Sequence, residues 1–119
     1  MSQAPNSKPY DLEERCLVLA KRINSYVNKL PTRVSNIENG KQLVRSGGSV
    51  GANYIEANES LSKKDFIMRI KISKKEAKES IFWLKLTQPH KEAELEQAQL
   101  IQETTELMKI FGSIIEKSK

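Results

Sequence analysis

Gln42, Arg45, Ser49, Asn53 and Glu56 step by three or four residues, so a helix through them carries all five on one face. A helix of a small protein normally turns aliphatic side chains inward, and a polar face of this kind has two physical meanings. Either water covers it while Leu43, Val50 and Ile55 do the packing, or it forms a polar network against other helices or subunits. Buried polar groups need partners. Glu76 and Glu79 supply them in the next helical stretch, where Arg45 could form a two-pronged ion pair with a carboxylate. Such a network sets register more than it adds stability. The expectation is that this face looks toward protein and not toward water, with Gln42, Arg45, Ser49, Asn53, Glu56, Glu76 and Glu79 as network or interface residues.

Other chemistry is poorly supported by the residue types. Glu56, Glu76 and Glu79 resemble bundle metal sites only loosely, because those sites use Glu-x-x-His pairs and the one histidine, His90, falls at a helix boundary. The single Cys16 lies on an apolar helix face and forms neither an internal disulfide nor a thiolate cluster. SGGSVG (Ser46 to Gly51) lacks both the GxxxxGK[ST] and the GxGxxG spacing, and no strand is predicted before it. No catalytic residue, metal or cofactor is expected. A remote alternative is an enzyme whose site forms at a subunit junction from Arg45, Glu56 and Glu76.

The basic residues are unevenly distributed. The chain carries 20 Lys+Arg against 15 Asp+Glu, a net charge of +5. Ser62 to Gln88 holds eight basic residues against three acidic ones, whereas Lys91 to Lys119 is acidic, with four against six. Lys64, Lys71, Lys75 and Lys78 lie close to one helical track, and Lys74 adds to the local charge. A basic track can neutralise phosphates along RNA or DNA, giving sequence-tolerant, salt-sensitive binding. The bland alternative is a hydrated face that keeps the helix soluble. Lysines without interleaved arginines and aromatics predict no base readout.

The elements that must position these residues follow from composition and punctuation. A chain of 119 residues is one domain, and 38% hydrophobic with 29% charged residues suits neither a disordered nor a membrane protein. No apolar run approaches the ~18 residues of a spanning helix, and MSQAPNSKPY has no secretory pattern, so a reduced, cytoplasmic protein is expected. Residues 1–10 read as a loose tail and 11–117 as one helical domain. Asp11 with Glu14 is a capping-box start for a helix carrying Leu12, Cys16, Leu19, Ala20, Ile23, Val27 and Leu30, and Pro31 closes it. After a polar link (Thr32 to Asn36), the second helix must pass Gly47, Gly48 and Gly51, each costing ~1 kcal/mol relative to alanine, so a bend is expected there.

Ser62 with Asp65 starts a third helix along Phe66, Ile70, Ala77, Ile81 and Leu84, interrupted by Ser73 and Ser80 and closed by Pro89. Leu95, Ala98, Ile101, Thr105, Met108, Phe111 and Ile115 give the fourth its predicted inward stripe. Trp83 anchors either the core or a subunit contact. The predicted fold is all-α, an antiparallel up-down four-helix bundle.

The runs QLVRSGGSVGANYIEA and SKKDFIMRIKISKKEAKESIFWLKL resemble the bacterial 23S rRNA intervening-sequence protein family. Gln42, Leu43, Arg45 and Ser46 match the first part of its pattern, Ser49, Asn53 and Glu56 the second, and Glu76, Ala77, Glu79, Trp83 and Leu84 the third. YDLEER (Tyr10 to Arg15) fits its first-helix start. The resemblance covers Tyr10 to Leu86. It implies a four-helix bundle assembling into a ring-like homo-oligomer, a pentamer, and supplies no molecular activity. A related accessory protein of diversity-generating retroelements works beside a reverse transcriptase and nucleic acid. Gly47 and Gly48 depart from the Ala or Thr usual in the family. The leading expectation is a non-catalytic oligomer that binds RNA or DNA through the third helix. The rival is a scaffold that displays protein-binding surfaces to a partner enzyme.

Overall fold

The computed structural model describes the backbone over residues 9–119 and side chains from Leu12 onward. The capping role of Asp11 and the fit of Tyr10 therefore lie outside the described side chains. Four helices follow one another: α1 (Pro9–Asn28), α2 (Val34–Asn58), α3 (Lys63–Leu86) and α4 (Glu94–Lys117), with a short 3-10 turn at Lys91–Ala93 before the last. No strand occurs among the described residues. The chain is an all-α, antiparallel up-down four-helix bundle. Helix α1 begins at Pro9, ahead of the expected Asp11, as proline's fixed φ allows at a first helical position. The Ser62 hydroxyl accepts from the Asp65 amide at 3.1 Å, so the third helix starts where its cap predicts.

The core is formed by Leu12, Cys16, Leu19, Ile23 and Tyr26 of α1, Leu43, Val50, Tyr54 and Ala57 of α2, Ile70, Ala77 and Leu84 of α3, and Leu100, Leu107, Phe111 and Ile115 of α4. Helix α2 runs unbroken through its glycines. Two of them are needed where α1 crosses it. A Cβ at Gly47 would stand 2.7 Å from Ile23 Cδ1, and one at Gly51 would stand 2.9 Å from Cys16 Cβ. The cost in helix propensity is offset by the close approach of two helices. Gly48 meets nothing within 4 Å and has no such reason.

The inward stripe of α4 differs from the expectation by one helical track. Leu100, Thr104, Leu107, Phe111 and Ile115 are buried, whereas Leu95 is 69% exposed, Ala98 is exposed, and Ile101, Thr105 and Met108 are half-buried. Apolar residues come in adjacent pairs here (Leu100–Ile101, Leu107–Met108, Ile114–Ile115), so periodicity alone fits two tracks. Thr104 enters the core because its hydroxyl donates to the Leu100 carbonyl at 2.7 Å.

One end of the bundle is tied by polar side chains. Asn36 lies within α2 and not in a link. Its Nδ2 donates to the Pro31 and Gln88 carbonyls, both at 3.0 Å, and its Oδ1 accepts from the Gln88 amide at 2.9 Å. The Thr87 hydroxyl donates to the Leu84 carbonyl, so the Tyr26 hydroxyl must donate to Thr87 Oγ1, 2.7 Å away. Gln97 donates to the carbonyls of Leu84 and Thr87. The α1–α2 and α3–α4 connections are thus joined to each other.

Candidate functional site

Helices α2 and α3 meet along a seam whose centre is small and polar. Ser73 donates to the Val50 carbonyl at 2.9 Å, and the hydroxyls of Ser46 and Ser80 lie 2.8 Å apart. All three serines are fully buried. The interruptions at Ser73 and Ser80 are therefore contact points, where short side chains bring two backbones together and hydrogen bonds satisfy the hydroxyls.

The polar face of α2 lies at the rim of this seam. Arg45 bridges two carboxylates: Nη1 donates to Glu76 Oε1 at 3.3 Å, Nη2 donates to Glu79 Oε2, and Nε donates to Gln42 Oε1 at 3.1 Å. The guanidinium thus contacts two carboxylates singly and does not pair with both oxygens of one. Trp83 Nε1 donates to the same Glu79 oxygen at 2.9 Å. That indole bond, with the Arg45 charge, holds the Glu79 carboxyl below the usual carboxylate range. Trp83 is half-buried and packs against the core, and its ring stands 5.0 Å from that of Phe82 at an angle of 70°.

Farther along α2, Ser49 donates to the Arg45 carbonyl and Asn53 to the Ser49 carbonyl, while Arg69 reaches Asn53 Oδ1 at 3.1 Å. Within one chain this face is turned to protein only in part. Gln42 and Glu56 are exposed, Arg45 is half-exposed, and the network joins two helices of one chain. The residues sit one step outside the buried Ser46 and Val50 track, so their polar ends reach solvent.

Glu56 stands ~16 Å along α2 from Arg45, so Arg45, Glu56 and Glu76 do not converge within one chain. No cluster of three metal-ligating side chains occurs among the described residues. Burial pushes the Cys16 thiol up to about 12, against the opposing charge of Arg15, which leaves it an inert core group. Sequence reasoning missed Arg15 itself. Its Nε and Nη2 grip both oxygens of Glu103 at 3.0 and 2.8 Å, closing the α1–α4 seam.

The outer face of α3 is basic for a geometric reason. Its acids leave that face: Glu76 and Glu79 turn to Arg45, and Asp65 sits in the first turn. Lys64, Lys71, Lys75 and Lys78 remain exposed, and none forms an ion pair among the described residues. Lys74 belongs to the flank, because its ammonium lies beside Gly112 of α4. Phe82, 55% exposed, and Met68, 54% exposed, share the outer track with the lysines.

The sequence profile of the 23S rRNA-intervening sequence protein family matches residues 9–113, which is most of the chain. This chain belongs to that family. A crystal structure of a protein of unknown function from the S23 ribosomal protein family of Bacteroides thetaiotaomicron is similar to it, with a TM-score of 0.74 and 31% identity over 91% of this chain and 97% of that one. No curated protein matches. Membership of the intervening-sequence protein family indicates no catalytic class. Among the described residues, no helix is long and apolar enough to cross a membrane.

Proposed function

We propose that the chain is a non-catalytic, oligomeric four-helix-bundle protein of the cytoplasm that associates with RNA or DNA through the outer face of α3. The observation that carries this reading is the separation of charge on that helix. Arg45 takes up Glu76 and Glu79, and Lys64, Lys71, Lys75 and Lys78 face solvent with no ion pair among the described residues. Exposed cations on a rigid rod attract a phosphate backbone and release its counterions on contact. A ring of five copies, as the family resemblance implies, would multiply the effect.

A second surface supports self-association. Leu17 of α1 and Ile55 of α2 are exposed along a groove lined by Gly48, Gly51 and Ala52, with Glu13 and Glu14 at its edge. Interfaces are poor in lysine and rich in such surfaces. The scaffold reading rests on this groove alone: it would hold a partner protein with no nucleic acid involved.

Binding to a labelled oligonucleotide at two salt concentrations tests the main reading. Affinity should fall steeply with salt, with a slope of about −0.7 to −0.9 for each phosphate neutralised. The triple change K71E/K75E/K78E should abolish the signal. Wild type that ignores RNA and DNA at low salt leaves the scaffold reading. A monomeric mass of 13.6 kDa at micromolar concentration would remove the ring.

A further inference from the structure

Phe82 is the feature of the basic face that charge does not explain. It is 55% exposed, and it lies one helical turn beyond Lys78 and one before Lys85. A phenyl ring held in water is costly, and more than half of this one is open to solvent. Its position is nonetheless fixed. Trp83 packs against it near-perpendicularly, the Trp83 indole is anchored on Glu79, and Glu79 is held by Arg45. The half-exposed polar rim of α2 thus braces an aromatic platform on the next helix. Near-perpendicular packing leaves Phe82 without a stacked ring partner. Leu86, 44% exposed, continues the same track one turn on.

We infer that α3 binds single-stranded nucleic acid, its lysines following the phosphates while an unpaired base stacks on Phe82. This inference rests on the nucleic-acid reading above and narrows it. An aromatic face accepts any base, so the contact adds affinity without base-edge readout. In a duplex the base faces are already stacked, and a short ring projecting from a helix cannot reach them. Duplex would therefore meet the lysines only. The alternative occupant, a neighbouring protein, fits less well: exposed Lys78 and Lys85 flank the ring one turn to either side, Lys75 lies a turn beyond Lys78, and lysine is depleted where proteins meet.

The test uses the full chain with labelled uridine and thymidine 12-mers and a mixed-sequence duplex of equal length. The two single strands distinguish an RNA from a DNA preference. F82L removes the ring and keeps an apolar side chain at an exposed position, and F82W keeps a ring. F82L should weaken single-strand binding by between about 5- and 100-fold, leaving duplex affinity and the salt slope unchanged, and F82W should restore it. Trp83 is the only tryptophan, so its emission should change on adding single strand and stay constant with duplex. Equal binding by F82L and wild type overturns the inference while salt-sensitive lysine binding survives. A lowered native mass in F82L makes the ring a subunit contact and also overturns it. Silence toward every oligonucleotide at low salt removes both readings.

Discussion

Replacing Gly48 and Gly51 separately by alanine gives opposite outcomes at nearly the same place on α2. Both changes remove the backbone freedom of glycine and gain roughly 0.8–1 kcal/mol of helix propensity. At Gly48 the new methyl meets nothing within 4 Å, so Gly48→Ala should stabilise by about that amount. At Gly51 the methyl would stand 2.9 Å from Cys16 Cβ, with the Cys16 backbone only 3.8 Å away. A Cβ cannot rotate aside, so α1 and α2 must separate. Overpacking of this kind costs about 1–3 kcal/mol, which outweighs the propensity gain. Gly51→Ala should therefore lower stability by ~1 kcal/mol net. For a domain of this size each kcal/mol moves Tm by about 3–6 °C, so the two variants should fall on opposite sides of wild type in thermal and urea unfolding. Native mass, measured alongside, separates a change in assembly from a change in helix stability. Gly51→Ala as stable as wild type would refute the argument that glycine is there for close approach.

Tyr26→Phe removes the donor to Thr87 and should cost about 1 kcal/mol in urea unfolding, with little change in m. Cys16 should make stability fall with rising pH between about 9 and 12. Its thiol ionises in the unfolded chain above its ordinary value of 9.0 and stays protonated in the folded one up to about 12, so Cys16→Ala should flatten the alkaline limb of Tm against pH. The same thiol should resist alkylation at pH 8 until denaturant is added. Glu79 behaves in the opposite sense. Its carboxyl is held low in the fold, so its contribution is present above the ordinary carboxylate value and is lost as pH falls through the folded one. Trp83→Phe should reduce that acid-side loss in a pH series of unfolding curves.

Helix number, order and several boundaries were legible because they rest on local chemistry. Ser62 caps α3 through its own hydroxyl, and prolines stand just beyond the ends of α1 and α3. What local chemistry does not fix was less legible. Paired apolar residues in α4 fit two faces equally, and only packing against α1 and α3 selects Leu100 and Leu107 over Ile101 and Met108. Asn36 looked like loop chemistry because its partners, Pro31 and Gln88, are distant or unremarkable in sequence. At the candidate site the lysine track could be read directly. The exposure of Phe82 could not, because Ile81, Phe82 and Trp83 are consecutive and any one of them could have pointed outward. The available signal was its spacing from Lys75 and Lys78, seven and four residues earlier.

The Asn36 amide gives the bundle two unequal ends. Where it stitches the two connections together, the segments on either side must loosen together, so amide protons there should exchange more slowly than those of the opposite turn. The opposite tip carries the short turn around Leu61, which is fully exposed. Opening of the helices is thereby expected to begin at that tip and not at the Asn36 end.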